Sequence, residues 1–177
     1  AASTKPFGFK PFYPGPGVGG HCIPIDPIYL SWKSNKDFGL PIKFVALAEE
    51  INSRMPNYVL KKTKDALQKK SLLIEKSKIL ILGISYKKNI DDFRESPSIE
   101  IINNLLKIGA SVSYSDPYIP ELTKLNKNNF NQKSLNINIE NLKKQDCIIL
   151  LTDHDSYDYK MLQKYCKLII DTKGKFK

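Results

Sequence analysis

The chain has 177 residues, 41% hydrophobic and 26% charged, which gives room for one domain plus a substantial appendage in a composition ordinary for a soluble globular protein. No stretch approaches the roughly 18 apolar residues of a membrane span, no signal-peptide core opens the sequence, and three cysteines at unrelated spacings make no disulfide framework, so a reducing, cytoplasmic setting is expected. The net charge of +10 is spread over lysines from Lys33 to Lys177 with no aromatic-basic motif, which suits small anionic ligands and weighs against nucleic acid.

Residues 1–38 are rich in Gly, Pro and aromatics and show almost no periodicity. They contain PGPGVGGHCIPIDP, from Pro14 to Pro27. Gly15, Gly17 and Gly20 formally satisfy G-x-G-x-x-G, but no buried strand precedes them, and the prolines of HCIPIDP argue against a helix after them. The dinucleotide reading therefore fails, and an irregular loop able to approach a ligand closely is expected. Cys22 follows with His21 beside it and Asp26 four residues on. The thiol reads as a nucleophile or as a small residue in a stiff turn; Asp26 reads as a turn residue before Pro27 or as a group holding a water near sulfur.

Residues 39–72 turn helical. Phe44, Leu47, Ala48, Ile51 and Met55 recur at three and four, and Val59, Lys62, Thr63 and Ala66 continue the pattern after Pro56. Pro56 predicts a kink or a fresh helix start. Such a block suits a spine joining domains and, in a homodimer, subunits.

From residue 73 to 177, strand and helix alternate: KILILGISY, SIEIINNLLKIGA, SVSYSDP, IENLKKQD, CIILLT, DYKMLQKYC and KLIIDT. This pattern predicts an α/β, Rossmann-like, doubly wound parallel sheet with ligand at the strands' carboxyl ends. The first helix should bury Ile99, Ile102, Leu105 and Leu106, start at Ser96–Pro97 and stop at Gly109. Cys147 and Cys166 read as buried apolar residues. YKKNIDDFRES places Lys87, Lys88 and Arg94 at the crevice, while GISYKKN offers one glycine where a dinucleotide turn has three. The domain is thus expected to bind something phosphorylated by another device, or nothing.

GGHCIPIDPIYLSWKS, NSRMPNYV and ILGISYKKNIDDFRESPS, in that order and spanning nearly the whole chain, resemble the NAD-dependent UDP-sugar 6-dehydrogenases. They are most similar to the branch acting on UDP-N-acetylhexosamines, and they correspond to the second half of that family's usual chain. The resemblance implies NAD as cofactor, a UDP-sugar as substrate, no metal, a homodimer through the central helices and a role in capsule or O-antigen polysaccharide synthesis. It assigns Cys22 as the thiol that carries a thiohemiacetal and then a thioester, and Asp26 as the aspartate assisting water. Pro11, Phe12, Tyr13, Pro14, Gly15 and Gly19 would wrap the nucleotide-sugar, Lys87 would reach the substrate, and Arg94 the cofactor. Ile25 stands where glucose-specific relatives carry a lysine, and Lys173 where many carry an arginine. An autonomous nucleotide-sugar-binding module without redox activity is the alternative.

Overall fold

The computed structural model describes residues 4–8, 11–125 and 130–176; residues 1–3 and 9–10 of the expected 1–38 segment, and 126–129 and 177 of the expected 73–177 domain, lie outside them. Four parallel strands form the central sheet: β1 (Lys78–Leu82), β2 (Ser111–Ser115), β5 (Cys147–Leu150) and β6 (Ile169–Asp171), in the order β2-β1-β5-β6. The continuous apolar runs of β1 and β5 fit a sheet covered on both faces. Alternation along β1 sorts its side chains. Ile79 and Ile81 join the core under α2 (Lys43–Gln68) and α3 (Pro97–Ile108), with Val59, Leu67, Ile101 and Leu105. Leu80 and Leu82 join the opposite core, with Leu142 of α4 (Ile139–Lys143) and Leu162 of α5 (Tyr159–Tyr165). Each such fully buried side chain contributes about 1.5–3 kcal/mol.

The chain runs from β1 through α3 to β2 on one side and reaches β5 and β6 on the other, so the strand order reverses at β1/β5 and the crevice opens at the carboxyl ends of that pair. α3 begins and ends as expected: the Ser96 side chain accepts from the Ser98 N–H, Pro97 takes the first position, and Gly109 closes it at φ 98°. Its buried face is Ser98, Ile101, Ile102 and Leu105, with Ile99 and Leu106 only partly buried at its edges.

Three features depart from the sequence-based expectations. Residues Cys22–Phe38 form a helix, α1, despite Pro24 and Pro27. Pro24 is the third helical residue, where the N–H has no intrahelical partner in any helix, so only Pro27 costs a hydrogen bond. α2 continues through Pro56, buried within it, so of the two outcomes expected there the fresh helix start does not occur. An antiparallel hairpin, β3 (Glu121–Leu125) with β4 (Phe130–Lys133), follows β2 in a polar, lysine- and asparagine-rich stretch that carries no strand pattern. Tertiary bonds hold it: Tyr114 Oη lies 3.3 Å from the Gln132 carbonyl, and Gln132 Nε2 donates to the Val112 carbonyl at 3.1 Å. Among the described residues no helix is long and apolar enough to cross a membrane.

Candidate functional site

The crevice is built where three loops meet. Gly83 ends β1 at φ 86°, and a Cβ there would lie 2.7 Å from the Thr152 carbonyl oxygen and closer still to its Cβ. Only glycine lets the loops after β1 and β5 approach this way. Thr152 Oγ1 then donates to the Ser85 carbonyl at 2.5 Å.

Asp116, at the end of β2, occupies the region where a dinucleotide fold places its ribose-reading acid. Here both oxygens are committed internally. Oδ2 accepts from the Ile84 N–H at 2.7 Å and the Ser85 N–H at 3.1 Å, and lies 3.1 Å from His154 Nε2. Oδ1 accepts from the Tyr118 and Ile119 N–H groups. Burial pushes this carboxyl up, but the His154 contact and the backbone N–H donors outweigh burial and hold it below the usual range. His154 and Asp116 are completely buried. Sequence reasoning missed this network; its only local signals are an aspartate closing an apolar strand and a second histidine at the end of another.

The loop from Tyr86 to Glu95 carries the expected cations. Lys88 pairs with Asp155 at 2.9 Å, and the Asp155 carboxylate raises the lysine's pKa. Arg94 is held by Asp92 through Nε at 3.0 Å and Nη2 at 2.7 Å, yet remains largely exposed. Lys87 is exposed and has no hydrogen-bond or ion-pair partner among the described residues. On the neighbouring loop Lys173 is half-buried, with its pKa lowered by burial and opposed by Asp153, and its Nζ has no partner among the described residues. A partly desolvated, unpaired ammonium is a ready anion-binding group.

The glycine-rich segment lies against this loop. The Gly20 N–H donates to the Arg94 carbonyl at 3.1 Å, and the Val18 N–H to Asn52 Oδ1 at 2.8 Å. A Cβ on Gly19 would sit 2.7 Å from both the Glu95 carbonyl oxygen and Tyr86 Cβ, and one on Gly20 2.8 Å from the Tyr86 ring. Gly19 is buried in that contact. Pro11, Phe12, Tyr13 and Pro14 are exposed, and the position of a Gly15 Cβ is 3.2 Å from Lys173 Nζ. Cys22 is an exposed thiol at the first position of α1, and Asp26, also exposed, follows on the same helical face. His21, exposed, caps α1 without a side-chain hydrogen bond.

A groove of about 560 Å³ opens between Val18, Pro24, Asn52, Arg94 and α3, with Asn103 Oδ1 buried and unpartnered; neither Cys22 nor Lys87 lines it. Of the expected site residues, Arg94 lines this groove. Among the described residues no group of three or more His, Cys, Asp or Glu is arranged to hold a metal.

Residues 80–177 match the UDP binding domain of the UDP-glucose/GDP-mannose dehydrogenase family, and residues 1–54 match that family's central domain. A UDP-N-acetyl-D-mannosamine dehydrogenase of Methanococcus maripaludis is 44% identical over 144 residues, covering 81% of this chain and 30% of that protein. A UDP-N-acetyl-D-glucosamine 6-dehydrogenase of Salmonella typhi is 38% identical over 119 residues, covering 67% and 27%. The solved structure of a UDP-D-ManNAc dehydrogenase from Pyrococcus horikoshii superposes with a TM-score of 0.74 at 28% identity, over 97% of this chain and 38% of that one. The chain thus spans about a third of the length of such relatives.

Proposed function

This chain belongs to the UDP-glucose/GDP-mannose dehydrogenase family, and on that footing we propose that it supplies the thiol and the nucleotide-sugar site of an NAD-dependent 6-dehydrogenase for a UDP-N-acetylhexosamine. Residues 1–38 would carry the thiol, 39–72 the spine, and 73–177 the nucleotide-sugar domain. One observation supports the proposal: the segment leading into Cys22 is latched by the Gly20–Arg94 bond to the crevice loop that carries Lys87, and its Gly15 lies against Lys173.

In this reading Lys87 and Lys173 meet the diphosphate, Pro11 to Gly15 cover the nucleotide-sugar, and Gly19 contributes by letting that segment lie flat on Tyr86 and Glu95. Oxidation of the C6 hydroxyl gives an aldehyde. The Cys22 sulfur adds to it, with the thiol proton ending on oxygen, to form a thiohemiacetal. Oxidation of that adduct leaves a thioester, and water, held by Asp26, displaces sulfur to yield the uronate and the free thiol. Negative charge developing on the adduct's oxygen lies beside the unpaired N–H groups that open α1. NAD, when bound, supplies the oxidising power by accepting a hydride in each of the two oxidations.

The residues present fit NAD only at an edge. Arg94, oriented by Asp92 and exposed, fits a cofactor phosphate. The turn after β1 does not fit a pyrophosphate, because Thr152 fills the space beside Gly83, and Asp116 has no oxygen to spare for a ribose. A binding module that takes the UDP-sugar without oxidising it is the second reading. A homodimer is proposed on the exposed apolar stripe of Phe44, Leu47 and Ile51 on α2 and Tyr29 and Trp32 on α1.

The test uses the whole protein with NAD and, in parallel, UDP-N-acetylmannosamine, UDP-N-acetylglucosamine and UDP-glucose. One of the acetylated sugars should be oxidised fastest. Cys22→Ser should abolish net uronate formation while UDP-sugar affinity stays within about threefold. Full activity in that variant removes Cys22 from the chemistry, and binding with no NAD reduction by the wild type selects the module.

A further inference from the structure

We infer that His154 is a positioning residue: it fixes the loop from Ser85 to Asn89 so that Lys87 is presented to the nucleotide-sugar. The inference rests on the substrate reading above for the role of Lys87, but its structural part stands separately.

His154 lies on the loop after β5, completely buried, 65 residues from the backbone it holds. Its Nδ1 is 3.0 Å from the Asn89 N and, facing a backbone N–H, must act as the acceptor. The ring's proton then sits on Nε2, which is 3.1 Å from both Asp116 Oδ2 and Ser85 Oγ. One neutral imidazole therefore ties the beginning of the loop, its turn and the end of β2 to a single rigid body.

Several bonds converge on the turn. Asn89 has φ 62°, a left-handed conformation that asparagine adopts more readily than most non-glycine residues, and the bonds around it hold it there. Besides the His154 bond, its side chain donates to Asp155 Oδ2 at 2.6 Å and accepts from the Asp155 N–H at 3.1 Å. Lys88 is tied to Asp155, and the Tyr86 N–H donates to the Asp92 carbonyl at 3.0 Å. Lys87 is thus the one residue of the stretch whose charge is unpaired among the described residues, between neighbours fixed on both sides. A cation held ready by its neighbours loses less entropy when a phosphate arrives.

Two variants separate the two ring nitrogens. His154→Asn puts a carbonyl near Nδ1 and can still accept from Asn89, whereas His154→Gln puts its amide near Nε2 and can serve only Asp116. UDP is titrated calorimetrically into the full chain as wild type, His154→Asn, His154→Gln and Lys87→Met, each checked by thermal unfolding. His154→Gln should weaken UDP about tenfold, the loss of roughly one net hydrogen bond in the loop, and approach Lys87→Met, while His154→Asn stays within about threefold of wild type. Long-range ¹H–¹⁵N correlation of labelled wild type should show an unprotonated Nδ1 and a protonated Nε2. A proton on Nδ1, or two His154 variants equally stable and equal in affinity, overturns the inference. Unchanged affinity in Lys87→Met refutes the substrate reading instead, and the nitrogen shifts still decide the fate of His154.

Discussion

Gly19→Ala tests whether the thiol-bearing segment is a separable piece docked on the α/β domain. The added methyl would lie 2.7 Å from a backbone carbonyl oxygen and 2.7 Å from Tyr86 Cβ, against an optimal separation of about 3.5–4.0 Å. Neither neighbour is the free end of a flexible side chain, and Glu95 already sits at φ 51°. Overpacking of this kind costs about 1–3 kcal/mol. Among the described residues the docked segment is held by two hydrogen bonds, Gly20 to Arg94 and Val18 to Asn52, worth together about 2 kcal/mol net. The strain and the attachment are matched, so the segment should lift off while the core stays folded. Two kcal/mol is about thirtyfold in an equilibrium constant, so hydrogen exchange at the Gly20 and Val18 amides should quicken by about that factor. Amides of Ile79 to Leu82 should keep wild-type protection. An unchanged Gly20 amide would refute the close contact; loss of protection in β1 in step with Gly20 would refute the separation between segment and core.

Two further outcomes follow from the crevice. Gly83→Ala combines a left-handed backbone with overlap on Thr152, and should destabilise the α/β core by about 3 kcal/mol, read as a fall in the denaturant midpoint at constant slope; a loss under 1 kcal/mol would mean the two loops are not in contact. Asp116→Asn should cost about 3 kcal/mol at pH 7, since its amide cannot accept from every donor now facing the carboxylate. Because the folded-state pKa of Asp116 is lowered, its contribution is complete above about pH 4 and is lost as pH falls through the folded value. The gap between wild type and Asp116→Asn should therefore shrink on acidification below about pH 4, and a constant gap in thermal unfolding from pH 7 to pH 2.5 would count against it.

What was legible in the sequence was local. The apolar runs KILIL and CIIL announce covered parallel strands, and Ser96, Pro97 and Gly109 bound α3 because capping acts within a turn or so of the residues that carry it. Proline misled for the opposite reason: its penalty depends on position, and the start of α1 could be counted only once the helix was seen. The β3–β4 hairpin has no pattern of its own, being held by Tyr114 and Gln132 across the sheet edge. The Asp116–His154 network joins residues 38 apart, just after two different strands, which no window of sequence brings together.

Asp116 has a consequence for selectivity. A carboxylate at the end of β2 that turned outward would count sugar hydroxyls and tell one nucleotide from another. Turned inward, it is scaffold, and what this face offers a ligand is cationic: Lys87, Lys173 and Arg94. Ammonium groups attract a diphosphate whatever base or hexose it bears. In the proposed function the α/β domain would be a generalist for its anion, and the short glycine- and proline-rich segment docked on it would be the part of this chain placed to contribute to discrimination among epimers. Exchanging that segment between relatives should carry sugar preference with it while leaving affinity for the bare nucleotide behind.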